Sequence, residues 1–226
     1  MISKPVLTVP FKRINNPAHL LDSLNWKNTS PVTLREIRPE SGEHTPHVEV
    51  RLFRDNQAFY GKFSVDDRYV RCIQEGYQAK VSKDSCVEFF LKPAGSTGYF
   101  NFEFNCGGNL LCYYIRNPQK KNGKRLDYDI LSPEELDMVR RQSTLPSSVP
   151  EEITSPLFWE LAFAIPYDLI KRFTPLTNDT FSEIWKANFY KCGDETSHPH
   201  WISWTSLPEK NFHRPDAFGF LRFRNP

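Results

Sequence analysis

The sequence predicts an all-β protein, an antiparallel β-sandwich of the jelly-roll or immunoglobulin-like type with one or two short helical insertions. The chain is rich in rings, with 18 Phe, 9 Tyr and 5 Trp, and aromatic side chains suit pleated, half-buried strands. Its 18 prolines break helices and favour turns and strand edges. Apolar and polar residues alternate in many short segments, which places one face of each strand in a core.

Eight segments of this kind are predicted strands, and the tight turns between several of them indicate antiparallel hairpins. They are His47–Arg54, Gln57–Val65, Cys86–Lys92, Tyr99–Asn105, Leu110–Arg116, Phe158–Ile165, Ile184–Cys192 and Phe218–Phe223. In CVEFFLK and YFNFEFN the alternation predicts a core face made of Val87, Phe89 and Leu91, and of Phe100, Phe102 and Phe104.

A helical insertion interrupts the strand pattern. Ser132, Pro133 and Glu135 supply an N-cap, a proline at the first helical position and the glutamate of a capping box. A second short helix is predicted from Pro166 to about Phe173. We predict a single domain over residues 1–226, with an insertion at about 117–157.

Composition and charge exclude several classes of protein. The formal net charge is +2 and the charges are interspersed, so that a nucleic-acid partner is not expected. Apolar runs fall short of the roughly 18 residues that span a bilayer, and no membrane partner is expected. The N-terminus MISKPVLTVPF shows no signal peptide. The compartment stays open between cytoplasmic and, if a signal was removed, periplasmic or extracellular.

Metal ligands and thiols show no strong motif. The five cysteines form no C-x-x-C pair and are predicted to be buried free thiols. His198 and His200 near Cys192 match no zinc spacing. Calcium could be held by the loop carboxylates, but these lack the calcium-loop pattern; they are Asp66, Asp67 and Asp84. We therefore expect no cofactor, with calcium as the alternative.

The polar row of YFNFEFN and a nearby tryptophan pair carry the candidate site. The row, made of Asn101, Glu103 and Asn105, can be a solvated outer face, which is the default, or the floor of a sugar site, because amides and carboxylates match vicinal hydroxyls. In HPHWISW, Trp201 and Trp204 fall on opposite faces of a strand, so that one ring can fill the core while the other is exposed and stacks on a ligand.

The same strands raise the question of catalysis. A glycosidase needs two opposed carboxylates, and Glu88 and Glu103 would be neighbours if their strands pair. Nothing in the sequence marks one of them as acid and the other as nucleophile. No phosphate-binding, dinucleotide-binding or serine-hydrolase motif is present.

The order of motifs from His47 to Phe223 resembles carbohydrate-binding module family 9, within the DOMON-like sandwiches. The motifs are CVEFFL, YFNFEFN, FWELAFAIP, WKANFY, ISW and FHRPDAFGFLRF. The resemblance implies a non-catalytic sandwich that binds sugars beside polysaccharide-degrading glycoside hydrolases. It implies stacking by Trp204 and polar contacts from Glu88 and Asn105; Glu103 stands where the family has arginine.

A second stacking tryptophan of the family falls on residues 79–83, which hold no aromatic residue. Tyr77, Tyr69 or Trp201 could replace it. The expected site is therefore Trp204, Trp201, Glu88, Glu103, Asn105 and Tyr77, and the expected partner is a mono- or oligosaccharide. The alternatives are a glycoside hydrolase that uses the paired carboxylates and a protein-interaction sandwich.

Overall fold

The computed structural model describes residues 4–118 and 127–224. The described chain forms sixteen strands: β1 (Val6–Val9), β2 (Val32–Thr33), β3 (Glu36–Ile37), β4 (His47–Arg54), β5 (Ala58–Asp67), β6 (Val70–Cys72), β7 (Cys86–Lys92), β8 (Tyr99–Asn105), β9 (Leu110–Asn117), β10 (Asp127–Ile130), β11 (Arg140–Ser143), β12 (Val149–Ile153), β13 (Leu157–Pro166), β14 (Trp185–Cys192), β15 (Trp201–Ser203) and β16 (Gly219–Phe223). The eight predicted strands are all present, with ends that differ by a few residues at most. The other eight are short or lie in connections.

Three short α-helices stand between these strands in the described residues, where one or two were expected: α1 (Ser23–Trp26), α2 (Pro133–Met138) and α3 (Tyr167–Lys171). The capping box predicted at Ser132 and Glu135 is present at the start of α2. Two 3₁₀ turns span Val81–Lys83 and Asn178–Ser182. No helix in the described ranges is both long and apolar enough to cross a bilayer.

Two main sheets form the sandwich, which confirms the predicted fold class. The nine-stranded sheet runs β1-β16-β14-β7-β8-β9-β10, with β15 on β14 and β3 on β15. The five-stranded sheet runs β11-β13-β5-β4-β2, and β12 pairs with β6 in a small third sheet. The pairing of β1 with β16 is parallel, whereas the long central strands pair antiparallel. Part of the expected insertion, residues 119–126, lies outside the described residues.

Phenylalanine rings fill the space between the two main sheets. Phe163 of the five-stranded sheet stacks on Phe104 and Phe89 of the nine-stranded sheet, with ring centroids 5.2 and 5.7 Å apart. Gly61 leaves room for this layer, because a Cβ there would lie 2.1 Å from the Phe163 ring. The residues predicted to face the core on β7 and β8 are all in this cluster.

The opposite, outer face of the nine-stranded sheet is covered by loops rather than by solvent. Asn101, Glu103 and Asn105 project from it, and all three are buried. The default expectation of a solvated polar face is therefore wrong. The chain between β15 and β16 crosses this face: Phe212 stacks on Tyr190, with ring centroids 4.1 Å apart.

Candidate functional site

A groove opens on the outer face of the nine-stranded sheet. It consists of two cavities of about 360 and 420 Å³. Ser82, Glu103, Asp194 and His213 line both cavities, so that the two form one continuous depression. We call this depression the outer groove. Its floor comes from β7, β8 and β9, and loops form its rims.

Backbone hydrogen bonds fix the first rim. The N–H groups of Asp194 and Glu195 donate to the carbonyl oxygens of Ser82 and Lys83, at 2.9 and 3.1 Å. The Lys83 ammonium pairs with the Glu195 carboxylate at 2.6 Å. These contacts join the turn before β7 to the turn after β14, and they hold Asp194 at the edge of the groove.

The second rim is the segment that follows β15. The Tyr190 hydroxyl donates to the carbonyl oxygen of Phe212 at 3.0 Å, and the Tyr99 hydroxyl lies 2.8 Å from Nδ1 of His213. Two buried tyrosines of the sheet therefore anchor this rim, and Lys210 and Asn211 line the groove beside it.

Two glutamates lie side by side on the floor. Glu88 of β7 and Glu103 of β8 are directly opposite in register, and their exposed fractions are 2% and 9%. Burial, followed by the electrostatic effects of Cys192 and Glu103, raises the pKa of Glu88 well above its usual range. Burial also raises the pKa of Glu103 to about 7. Burial therefore favours a protonated carboxyl in the pair, and a protonated carboxyl can both donate and accept hydrogen bonds.

Asn101 orients the Glu103 carboxyl. Its side-chain oxygen accepts from the Tyr113 backbone N–H at 2.7 Å, and its Nδ2 donates to Oε1 of Glu103 at 2.7 Å. The backbone bond sets which end of the amide is the donor. The hydrogen bond from Asn101 lowers the Glu103 pKa and partly offsets burial.

Trp201 forms an aromatic wall at the β15 end of the groove. Its indole Nε1 donates to Asp194 Oδ1 at 2.7 Å, and its backbone N–H donates to Ser41 Oγ at 2.9 Å. The Lys210 ammonium lies 3.0 Å from the ring centroid. A fixed indole beside buried carboxyl and amide groups is the arrangement that sugar-binding sites need, since the flat ring offers contact area at little entropic cost.

The sequence profile of carbohydrate-binding family 9 matches residues 18–223. The chain belongs to carbohydrate-binding family 9. A candidate carbohydrate-binding protein from Bacteroides uniformis ATCC 8492, known from a crystal structure, is 30% identical in sequence to this chain. The two structures superpose with a TM-score of 0.85, and the match covers 98% of this chain and 100% of that chain. No match was found among curated proteins.

Two structures of a family 9 module from Caldicellulosiruptor kristjanssonii are also similar, one in complex with cellotriose and one with glucose. Both are 12% identical in sequence to this chain, and both matches cover 98% of it. The cellotriose complex has a TM-score of 0.58 and is matched over 95% of its chain, and the glucose complex has a TM-score of 0.57 and is matched over 97%. At this identity the likeness shows the fold of family 9 alone.

Trp204, which the family resemblance assigned to ligand stacking, lies on the inner face of the sheet. Its backbone N–H donates to the Phe189 carbonyl oxygen at 3.0 Å, and its ring lies 5.5 Å from the core ring of Phe189. A Cβ at Gly219 would lie 2.6 Å from the Trp204 ring. The two tryptophans are on opposite faces, as the alternation predicted, with Trp201 outside and Trp204 inside.

Asn105 and Tyr77 also lie outside the outer groove. Asn105 is fully buried; its Nδ2 donates to Asp84 Oδ2 at 3.0 Å, and its Oδ1 accepts from the Asn109 N–H at 2.9 Å. Tyr77 is exposed, and its hydroxyl contacts the Asp137 carboxylate of α2. Tyr69, the other upstream tyrosine, stacks on His198 at 3.6 Å. Of the expected residues, the groove brings together Glu88, Glu103 and Trp201.

Several groove residues were not among the expected site residues, and the polar ones with a clear role include Asn101, Asp194 and Lys210. A signal existed for Asn101, because it shares the alternating row of Glu103. The sequence held none for Lys210, which reaches Trp201 through a loop that crosses the sheet.

Two of the three carboxylates considered for calcium, Asp84 and Asp67, have other partners. Asp84 accepts from Arg71 at 2.6 Å and from the backbone N–H of Gln74 at 2.7 Å. Asp67 accepts from His44 at 2.8 Å and from the Trp159 indole at 3.1 Å. Both are buried, and these contacts explain why the chain keeps them there.

A larger cavity of about 670 Å³ lies elsewhere, beside Phe11, Tyr60 and Arg140. Its carboxylate, Asp55, already accepts from the backbone N–H groups of Gln57 and Ala58 and from the Tyr60 hydroxyl. Since a ligand site needs polar groups that converge on the ligand, the outer groove is the better candidate despite its smaller volume.

Proposed function

We propose that this protein binds a neutral oligosaccharide in the outer groove without hydrolysing it. One observation carries the proposal: the Trp201 indole is fixed by Asp194 at 2.7 Å and lines the same cavity as Glu88 and Glu103. The indole stacks on the C–H face of one sugar ring. The carboxyls hydrogen-bond the hydroxyls at its rim.

The charge state of the floor favours a neutral ligand. A protonated Glu88 donates one hydrogen bond and accepts others, whereas an ionised Glu103 only accepts. Vicinal sugar hydroxyls, each a donor and an acceptor, match this pair. An acidic sugar would place a third carboxylate beside Glu103 and Asp194, and like charges at close range disfavour that.

The length of the groove favours several sugar rings over one. Trp201 on β15 is separated from Tyr113 on β9 by four strand spacings, roughly 19 Å at about 4.8 Å per strand. Tyr113 and Tyr128 line the far cavity, with ring centroids 4.9 Å apart. An oligosaccharide reaches both aromatic ends, whereas a monosaccharide reaches one. We expect affinities on the order of micromolar for oligosaccharides and millimolar for single sugars.

Hydrolysis of a glycosidic bond is the second candidate. The observation that favours it is the direct opposition of Glu88 and Glu103 in register, because retaining glycosidases place two carboxyls roughly 5 Å apart. Product analysis after prolonged incubation with oligosaccharides separates the candidates: binding heat with no shorter products supports a binding module, and shorter products that vanish in Glu103→Gln establish an enzyme.

Isothermal titration tests the proposed function. Cellotriose and glucose are the first ligands, since a family 9 module of the same fold was crystallised with each; xylo-oligosaccharides and soluble glucans complete the panel. We expect Trp201→Ala to weaken binding by at least about tenfold, or about 1.4 kcal/mol, and Trp201→Phe to keep part of the affinity. Wild-type affinity in Trp201→Ala would place the site elsewhere. Association with glycoside hydrolases stays a prediction.

A further inference from the structure

Three side chains at the edge of the groove floor form a cluster of metal-ligand type. The sulfur atoms of Cys86 and Cys192 and a carboxylate oxygen of Glu88 all lie within 4.8 Å of one another. Cys86 and Cys192 are directly opposite on β7 and β14, and Glu88 follows Cys86 by two residues on the same face. The Cys192 thiol donates to Glu88 Oε1 at 3.2 Å. The register of two long strands therefore fixes the cluster.

The second carboxyl oxygen of Glu88 is an independent observation. Oε2 is buried and has no hydrogen-bond partner among the described residues, and Glu88 as a whole is 2% exposed. A buried polar atom without a partner costs about 1–3 kcal/mol, and each such atom in a folded protein calls for an explanation. An ion bound by Glu88 and the two sulfurs would supply one.

In a second cluster of metal-ligand residues, the donor atoms already have a cationic partner from the protein itself. His44, Asp67 and His200 also converge, but the Lys191 ammonium lies 2.6 Å from His200 Nε2 and 3.3 Å from Asp67 Oδ2. A cation of the protein itself thus takes those donor atoms. Among the described residues, no ammonium or guanidinium group forms an ion pair with Glu88, and its Oε2 atom remains without a partner.

We propose that Cys86, Cys192 and Glu88 bind one zinc ion, with a fourth coordination position open to the groove. Two thiolates and one carboxylate suit zinc, whereas calcium and magnesium prefer oxygen ligands alone. In a tetrahedral site, two sulfurs at about 2.3 Å from one zinc ion lie about 3.8 Å apart, which is inside the 4.8 Å that bounds the ligand atoms of this cluster. Cys192 and Glu88 line the cavity, which gives the ion a path to the site.

Proton release accompanies binding. Burial raises the pKa of Cys86 to about 12, and the hydrogen bond with Cys86, followed by burial, raises the pKa of Cys192. Without metal both sulfurs are therefore thiols. Each Zn–S bond replaces an S–H bond and releases one proton to solvent, and a protonated Glu88 also gives up its carboxyl proton when its oxygen binds zinc, so that apparent zinc affinity rises with pH. The Lys191 charge offsets part of the negative charge left on the two sulfurs.

Titration of the full chain with zinc alone tests the site, after chelator treatment and under a reductant that does not bind metal. We expect one equivalent of Zn²⁺ to bind with release of about two to three protons, from the two thiols and the Glu88 carboxyl, and Co²⁺ to give a sulfur-to-metal charge-transfer band. Cys86→Ser should weaken binding at least about 100-fold, since loss of even an outer-shell partner costs 10–100-fold. Cys112→Ser, which changes a buried thiol on the other face of the sheet, should bind as wild type does.

The outcomes separate this site from the proposed sugar site. Trp201→Ala should keep zinc binding, and Cys86→Ser should keep sugar binding, because Cys86 does not line the groove. If Cys86→Ser does not fold, the isosteric variant Glu88→Gln should likewise weaken zinc binding in the same titration. Absence of saturable zinc binding by the wild type overturns the proposal. So does binding that is lost in Cys72→Ser and retained in Cys86→Ser.

Discussion

The Nζ atom of Lys191 lies 2.6 Å from Nε2 of His200 and 3.3 Å from Oδ2 of Asp67, and all three side chains are buried. His200 Nδ1 donates to the His198 carbonyl oxygen at 2.9 Å, which leaves Nε2 as the acceptor for the ammonium. Although burial raises it, the Lys191 charge and the His44 contact hold the Asp67 pKa below its usual range. This network holds β5, β14 and the turn before β15 together.

Lys191→Met should therefore destabilise the protein strongly. Removing one partner of a buried ion pair leaves the other charge uncompensated, which costs about 3–5 kcal/mol. Lys186→Met on the same strand changes a less buried lysine and should cost less than about 1 kcal/mol. Urea denaturation at pH 7 measures both. Equal stability of the two variants would show that the ammonium contributes little to the fold.

The pH dependence of stability should show a contribution from His200. Burial, followed by the Lys191 charge, lowers its pKa to about 3, whereas the unfolded chain has a value of about 6.5. The unfolded state therefore binds the proton first as pH falls, and the contribution of His200 is present above pH 6.5 and lost progressively toward pH 3. At pH 4 the loss reaches up to about 3 kcal/mol.

His200→Gln isolates this effect, because the glutamine amide can accept from Lys191 but does not titrate. The stability difference between wild type and this variant should shrink from pH 7 to pH 4 in urea titrations. A difference that does not change with pH would mean that His200 titrates normally. Comparing the two proteins cancels the opposite contribution of Glu88 and Glu103, whose pKa values are raised.

Trp204→Ala should lower stability but leave the groove intact. The ring packs on Phe189 and over Gly219 on the inner face, so that truncation leaves a cavity and costs about 2–4 kcal/mol. Oligosaccharide affinity of the folded variant should stay within about twofold of wild type. If Trp204→Ala lost oligosaccharide binding but had the melting temperature of the wild type, Trp204 would be the residue that stacks on the sugar.

Lys210→Ala should tighten sugar binding. The ammonium lies 3.0 Å from the centroid of the Trp201 ring, over a face that the sugar needs, and a cation–π contact at an exposed site contributes about 0.5–1 kcal/mol. We expect affinity to rise about two- to fivefold at low salt, with no change in Lys171→Ala on α3. Weaker binding in the calorimeter would instead show that Lys210 contacts the ligand.

The alternation of side chains made the faces of β7 and β8 predictable. Because the period of a strand is two, Phe89 and Phe102 had to share the core face, and Glu88 and Glu103 the other. The same parity separated Trp201 from Trp204. Alternation alone could not predict which of the two tryptophans faces the core, because that depends on the register of β15 against β14. Trp201 is opposite Cys192, and a shift by one residue would have placed it on the other face.

Contacts between distant segments decided the rest of the site. Asn105 became structural because Asp84 and Asn109 approach it from connections. The polar face became buried because the segment containing Phe212 crosses it. Short strands such as β3 and β15 form by pairing with β15 and with β14, respectively, and carry too few residues for a periodic signal.

A crystal structure of the protein with cellotriose tests the central claim most directly. We expect one sugar ring to stack on the Trp201 indole, with the Lys210 ammonium displaced and hydroxyls within hydrogen-bond distance of Glu88 and Glu103. A further ring should extend along the floor toward Tyr113. Cellotriose bound beside Trp204, or in the cavity lined by Tyr60 and Arg140, would contradict the assignment of the outer groove as the carbohydrate site.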